Sequence, residues 1–420
     1  MKTISIALIA GVVGCTLGQP VSAAEPAKFQ EKVLWSFGSG TDGKSPSASM
    51  IDVKGTVYGV TGGGGDYGGG TVFTLDPNTD SETVLYSFCS QTRCTDGKSP
   101  GASLIDVKEN LYGTTVSGGS STSCGEGCGT LFSFNPNTGA QTVLHSFGTY
   151  PDGQNPQADL IDVNGTLYGT TYAGGSYGYG TVFSLDRKTG TERTLYTFCS
   201  QYPCTDGDLP IGGLIDVNGT LYGTTFGGGT SNECVDLPGC GTVFSLDLGT
   251  GAEKVLYSFC SQPNCADGVS ASGSLIALNG TLYGLTLAGG IGCHGNGCGT
   301  LFSLDPASGA ETTLYSFCSR RNCTDGAQPE GSLVAVNGKL YGTTFYGGST
   351  GCGGYGCGVA FSLNPSTGAE KVLYSFCAQQ NCTDGEGPNA GLIDSKGTLY
   401  GTTEAGGTYG YGTVFALAKQ

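Results

Sequence analysis

Charge is scarce in this chain. Only 12% of its 420 residues are Asp, Glu, Lys or Arg, and 34 acidic side chains outnumber 18 basic ones, for a formal charge of −16. Neutralising phosphates needs clustered Lys and Arg, so this balance excludes a nucleic-acid partner and disfavours an anionic membrane surface. Helix-forming windows rich in Lys, Arg, Glu and Ala are missing, which argues against a helical domain. Beyond the first residues no run is apolar enough to span a bilayer. Histidine occurs twice and tryptophan once, and no H-E-x-x-H or C-x-x-C occurs. The sequence therefore carries no ready signature of a zinc protease or a catalytic dithiol. What fills the space is 77 Gly together with many Tyr, Phe, Val and Thr, which is strand-and-turn chemistry.

The opening MKTISIALIAGVVGCTLGQPVSAAEP reads as a secretory signal over residues 1–23, followed by a short leader over 24–31. Lys2 gives the charged start, Ile4 to Gly18 the short apolar run, and Val21-Ser22-Ala23 a small-residue cleavage site. Val12-Val13-Gly14-Cys15 also resembles a lipoprotein box, in which Cys15 would be lipidated; the cleavage site further on favours the ordinary signal. The expected location is secreted, periplasmic or at the cell surface. No sorting tail is visible at the C-terminus.

Internal repetition organises the rest. The pattern VLYSF … DG … LIDVNGTLYGTT … GG … GTVFSLDPxTGAEK begins afresh at Val33, Val84, Val143, Thr194, Val255, Thr313 and Val372. Each copy holds four short strand-like runs, such as Gly213 to Val217, Thr220 to Thr225, Thr242 to Asp247 and Lys254 to Phe259. Asn218-Gly219 between the first two fits a type I′ hairpin turn. Four antiparallel strands per copy, without a helix, predict propeller blades. The ends are out of phase in a complementary way. The array opens on a fourth-type strand, Lys32 to Phe37, and closes on a third-type strand, Gly412 to Ala418. Pairing them completes the last blade and hides two sheet edges. The expectation is an all-β, seven-bladed propeller over residues 32–420, closed by strand 32–37.

These VLYSF … DG, LYGTT … GG and GTVFSL segments resemble the GloVer tandem repeat of bacterial extracellular proteins, many of them anchored at the surface. The resemblance spans about Val33 to Leu417. It implies repeat architecture and an extracellular location, and it carries over no catalytic residues.

The cysteines come and go in pairs. Between the fourth strand and the next first strand lie Cys89/Cys94, Cys199/Cys204, Cys260/Cys265, Cys318/Cys323 and Cys377/Cys382. Between the second and third strands lie Cys124/Cys128, Cys234/Cys240, Cys293/Cys298 and Cys352/Cys357. No loop holds a single cysteine. Four-cysteine zinc sites or bridges between the two loop types are alternatives. The seventh copy opposes both, since it keeps Cys377 and Cys382 but reads GGTYGYGT in the other loop. Nine disulfides, each within one loop, are therefore expected, with no metal and no cofactor. Both loop types project from the same end of an antiparallel blade. One face of the disc is thus stapled and variable in length, and that is where a ligand is expected. The strands are expected to carry the core, with the staples confined to the loops of that face.

An Asp-Gly recurs on that face at Asp42, Asp96, Asp152, Asp206, Asp267, Asp325 and Asp384. It reads as an Asx-type turn with Gly at positive φ. The repeated Phe of GTVF and Tyr of LYG read as core between sheets. His145 replaces the Tyr of VLYSF and reads as a core or edge substitution; His294 sits in a loop of the stapled face. Loops such as GGDYGG, GGSYGYG, CGGYGC and GGTYGYG bring Tyr67, Tyr177, Tyr179, Tyr355, Tyr409 and Tyr411 to the same face. Tyr is an amphipathic contact residue with little entropy to lose, although it could equally pack the loop base. The candidate binding residues are these six tyrosines and His294, and the expected role is a non-catalytic module for an extracellular glycan or surface protein. Two alternatives stand beside it. One is a propeller hydrolase or lyase acting on polysaccharide with carboxylates at the central funnel. The other is a purely structural cell-surface protein.

Overall fold

In the computed structural model, which describes residues 28–234, 239–291, 298–349 and 351–420, seven four-stranded antiparallel sheets stand in a ring. The expected signal segment, with Cys15, lies outside the described residues. Blades 1 to 6 are continuous in sequence, over 51–87, 105–146, 161–197, 215–258, 269–316 and 334–375. Blade 7 is composite. Its first three strands are Ile393–Ser395, Thr398–Thr403 and Thr413–Lys419, and its fourth is Phe29–Ser36 from the start of the chain. The closing pair runs antiparallel from Phe29 opposite Lys419 to Ser36 opposite Thr413. This is the seven-bladed propeller the repeat phase predicts, with the closing strand beginning three residues before Lys32.

The first strands line the axis, because residues just ahead of them in every repeat surround one central cavity. Third strands such as Thr181–Asp186 are buried on both faces up to their last residue. Each is sandwiched between neighbouring blades, so its side chains pack both ways. Fourth strands alternate, as in Ser81–Ser87, because only one face meets a neighbour.

Aromatic contacts tie one blade to the next. The Phe ending each fourth strand meets the third-strand Phe of the following blade edge-on, at centroid distances of 4.9 to 5.1 Å. The series closes through Phe376–Phe415 and Phe37–Phe73. Edge-to-face pairs add roughly 0.5–1.5 kcal/mol beyond their buried area. The Gly of LYG makes room for this ring. A Cβ on Gly401 would sit 2.5 Å from the Phe415 ring.

The two faces are built differently. On the lower face the first hairpin turns at Asn218 (φ 56°) and Gly219 (φ 84°), both left-handed as a type I′ turn requires. On the upper face the two long loops of each blade are bridged to each other, for example Asp208 to Gly227 and Glu386 to Ala405.

Candidate binding face

In six of the seven blades the second-to-third loop grows from a buried threonine pair; in blade 6 Val359 faces Thr344 instead. Thr225 and Thr242 share a 2.8 Å hydroxyl contact, and Thr225 Oγ1 also donates to the Gly227 carbonyl. This fixes the base of the second-to-third loop before it reaches solvent.

The cysteine pairs form disulfides within single loops for all eight pairs whose residues are both described. Five are exit-loop bridges: Cys89–Cys94, Cys199–Cys204, Cys260–Cys265, Cys318–Cys323 and Cys377–Cys382. Three are second-to-third bridges: Cys124–Cys128, Cys234–Cys240 and Cys352–Cys357. Cys293, the expected partner of Cys298, and His294 lie outside the described residues.

Two corrections concern these staples. First, they are not confined to the loops above the core. Cys128, Cys204, Cys240, Cys260 and Cys357 are buried. Cys128 belongs to the apolar cluster around Phe147, and Cys240 and Cys260 to the one around Phe259, against which the half-buried Cys265 also packs. The reason is position. Cys128 and Cys240 stand two residues ahead of Thr130 and Thr242, at the loop base, directly above the inter-blade Phe ring. A disulfide there is apolar filling as well as a link, because bridged sulfur packs as a small hydrophobe.

Second, the spatial grouping differs from the sequence grouping. The backbone of a second-to-third loop is bridged to the loop that enters its blade, but its cysteines stand beside those of the loop that leaves it. Thus Cys352 and Cys357 cluster with Cys377 and Cys382, their sulfur atoms lying within 4.8 Å of one another. In this frame blades 4, 5 and 6 carry both pairs, blades 1 and 3 only the exit pair, blade 2 only the second-to-third pair, and blade 7 neither. Either pair occurs without the other, which is what self-sufficient staples require.

The recurrent Asp is more than a local turn. Asp206 accepts from the Ser200 and Gln201 amides, at 2.8 and 3.3 Å, and from the Tyr196 hydroxyl at 2.8 Å. An Asx turn would bond forward by two residues; this carboxylate bonds backward by five, six and ten. It closes the stapled loop onto the strand it left, while Gly207 turns the chain at φ 99°. Asp96, Asp267, Asp325 and Asp384 repeat the pattern with Tyr86, Tyr257, Tyr315 and Tyr374. Trp35 donates to Asp42 where the Tyr is absent.

A second carboxylate reaches the same hub from the following blade. Glu31, Glu192, Glu253, Glu311 and Glu370 are pushed up to about 7, and Glu82 to about 8. Burial is the main cause, with the hub Asp adding to it in each. Gln141 holds the position in blade 2, where its amide donates to the Asp96 carbonyl. Six of seven blade junctions therefore hold an Asp–Glu pair, and the protonated Glu is the state the fold prefers.

The six tyrosines divide in two. Tyr67, Tyr177, Tyr355 and Tyr409 occupy one equivalent loop-tip position and are 51 to 75% exposed. Tyr179 and Tyr411 stand two residues on, where stapled blades place their second cysteine. They are 40 and 42% exposed, and Tyr411 packs against Gly38 and under the Lys44 ammonium, 4.1 Å from its ring centre. The packing alternative therefore holds for Tyr411. Tyr150 and Tyr202, 74 and 97% exposed in exit loops, join the face; sequence reading passed over them because they recur in no other copy.

At the axis, a cavity of about 350 Å³ is lined by all seven blades. Its floor is a ring of inter-blade hydrogen bonds. Asp159 accepts from the Ser103 amide at 2.7 Å and from the Ser274 hydroxyl at 3.4 Å, and Ser332 Oγ accepts from the Ser274 amide at 3.0 Å. Above this ring symmetry fails. Glu330, Gln157 and Asn389 take the position held elsewhere by Ser, Gly or Ile. Asn389 donates to Glu404 at 3.2 Å while its own carbonyl oxygen is buried without a partner. Burial, and then the charge of Glu404, push Glu330 up to about 7.

The model of the Gloeobacter/Verrucomicrobia repeat matches residues 21–236 and 204–415. Among proteins of curated function, none matches this sequence. Solved structures share the fold. An oligogalacturonate lyase in complex with manganese superposes with a TM-score of 0.54 at 12% identity, covering 94% of this chain and 97% of its own. A Niastella koreensis GH74 enzyme gives 0.51 at 15% identity over 80% of this chain and 46% of its own. At such identities these likenesses carry architecture alone.

Proposed function

The chain belongs to the Gloeobacter/Verrucomicrobia repeat family, and we propose that its stapled face is a non-catalytic binding surface for an extracellular glycan or surface protein. The observation that carries this reading is the set of tyrosine tips. Tyr67, Tyr177, Tyr355 and Tyr409 stand at one equivalent position on four blades, more than half exposed, on loops fixed below by threonine pairs or disulfides. Pre-ordered loops lower the entropy cost of binding, and Tyr offers stacking area with a polar tip. Disulfides and the absence, among described residues, of any helix long and apolar enough to cross a membrane agree with an extracellular setting. The negative net charge directs the choice toward neutral or weakly cationic partners.

The test is an array of neutral and amino-bearing glycans and of surface proteins, probed with the oxidised protein. Tyr177→Ala with Tyr409→Ala should weaken the strongest binder at least tenfold and leave the melting temperature nearly unchanged. Tyr411→Ala should cost stability as well, because that ring packs. An array with no binder would leave the purely structural role.

One observation favours a second reading, a polysaccharide hydrolase or lyase. Glu330, pushed up to about 7 beside Glu404 at the mouth of the axial cavity, has the character of a general acid. If the protein turns over a polysaccharide and Glu330→Gln abolishes the turnover, this reading replaces the first.

A further inference from the structure

Six of the seven blade junctions offer a metal ion no nitrogen lone pair among their hub residues. In five of them a Tyr hydroxyl donates to the hub Asp at 2.7 to 2.8 Å. A protonated phenol is a poor ligand for a divalent ion. In the sixth, Trp35 offers only an N–H. At the junction of blades 2 and 3 the same position is His145, whose imidazole has a lone pair to give. Its Nε2 lies 3.0 Å from Asp152 Oδ2. Glu192 of blade 3 completes the group, and one ligand atom from each of the three residues lies within 4.8 Å of the others.

We propose that His145, Asp152 and Glu192 form a binding site for a single divalent transition-metal ion of the zinc type, at the rim of the stapled face. One imidazole nitrogen and two carboxylates suit a borderline ion such as Zn²⁺. Two ligands about 2.1 Å from a tetrahedral zinc ion stand roughly 3.4 Å apart, so the His145 Nε2 to Asp152 Oδ2 hydrogen bond of 3.0 Å opens by a few tenths of an ångström to admit the ion. The Asp152 carboxylate is already oriented, by the Gly148 amide at 3.0 Å and the Gly153 amide at 2.7 Å. His145 is held edge-on against Phe147 at 4.8 Å. Glu192 Oε1 is buried without a partner. Glu31, Glu82, Glu253 and Glu370 share that orphan oxygen, so the carboxylate alone does not select this junction; the imidazole does. The His145 and Asp152 side chains keep 23 and 17% of their surface in water, which leaves an entry path and room for a coordinated water. Binding offsets the charge of a half-buried acid pair.

Sister junctions supply the controls. His145→Tyr installs the residue found at five other junctions. Glu192→Gln installs what blade 2 carries as Gln141. Both variants are therefore expected to fold, checked by circular dichroism. The chelator-treated, fully oxidised chain, shown free of thiol, is titrated with Zn²⁺ by calorimetry and by thermal shift. One ion per chain is expected, with affinity falling at least about tenfold in each variant. A wild-type chain that takes up no Zn²⁺, or variants that bind it as tightly as wild type, overturn the assignment.

Discussion

The carboxylates of the two faces are shifted in opposite directions. On the lower face Asp76, Asp186, Asp247 and Asp305 end third strands and accept amides two or three residues on, as Asp186 does from Lys188 at 2.8 Å and Thr189 at 3.0 Å. Those hydrogen bonds hold their carboxyls below the usual range. On the upper face the junction Glu residues are raised to about 7 or 8 by burial and by the hub Asp beside them. The lower turns are genuine Asx turns in water, bonded to their own backbone. The upper hubs are shared between blades, so a second acid is forced into a space the first already charges. The difference teaches that the lower-face Asp turns close single blades, whereas the upper-face hubs join one blade to the next.

The largest expected effect is on stability against pH. A Glu whose folded pKa lies above its unfolded value binds more protons folded than unfolded across that interval. Its contribution is complete below about 4.5 and is lost as pH rises through about 7, or about 8 for Glu82. The lower-face Asp groups act in the opposite sense: their contribution is present above about 3.8 and is lost as pH falls below it. Stability should therefore peak near pH 4 to 5 and decline toward pH 8. Solvent screening keeps each half-buried Glu modest, yet six decline together. Melting curves from pH 3 to 9 measure this. Glu253→Gln with Glu311→Gln should flatten the decline above pH 5 and leave the acid limb as it was. An unchanged slope would assign the decline to general self-repulsion of a chain with net charge −16 instead.

How much of this was legible beforehand follows the same division. Strand number, turn type and ring closure rest on periodicities inside one repeat, and the out-of-phase ends showed closure because a strand lacking a partner is visible in one dimension. The hub was not legible, because Tyr196 and Asp206 meet a Glu253 that belongs to the next copy. A signal existed: a Glu recurs two residues before the VLY position in six copies, with Gln141 in the seventh. Read within one strand, that Glu passes for a solvated edge. The double staples were grouped wrongly for the same reason, since the cysteines that cluster belong to different copies. The burial of Cys128 and Cys240 was missed because the Phe147 and Phe259 beneath them arrive from another strand. His145 likewise looks like a lone core substitution until Asp152 and Glu192 are placed around it.

A smaller effect separates staple from hub. Removing one exit staple, by Cys89→Ser with Cys94→Ser, should cost about 2 kcal/mol on the chain-closure account of a short loop. Both sulfurs belong to half-buried residues, unlike Cys128 or Cys240, so little core filling is lost with the link. Asp96 holds the same loop to Tyr86, Ser90 and Gln91. Hydrogen exchange should therefore rise within the 89–97 loop and stay low in the fourth strand, Ser81–Ser87. Asp96→Asn in the same background should spread the loosening to the junction with blade 2. Global unfolding from the cysteine changes alone would show that the staple, not the hub, carries the junction.

The smallest effect belongs to the lower face, at its one irregular hairpin. Six of the seven first hairpins place Gly at the second turn position, at φ 74 to 95°. In blade 2 the turn is Lys108-Glu109, with Glu109 held at φ 65°. A side chain there costs roughly 1 kcal/mol in the left-handed region. Part of that is returned by the exposed ion pair between Glu109 and Lys54 of the neighbouring blade, which water and salt screen. Glu109→Gly should therefore leave stability level or raise it by up to about 1 kcal/mol, less the greater chain entropy glycine brings to the unfolded state. Gly219→Glu makes the reverse change in blade 4, and a loss of about 1 kcal/mol is expected there. Denaturant midpoints of the two variants at pH 5, where the junction acids are protonated, isolate the turn from the upper face. If Glu109→Gly costs more than Gly219→Glu, the ion pair between blades outweighs the turn, and the lower face too is a place where blades are joined.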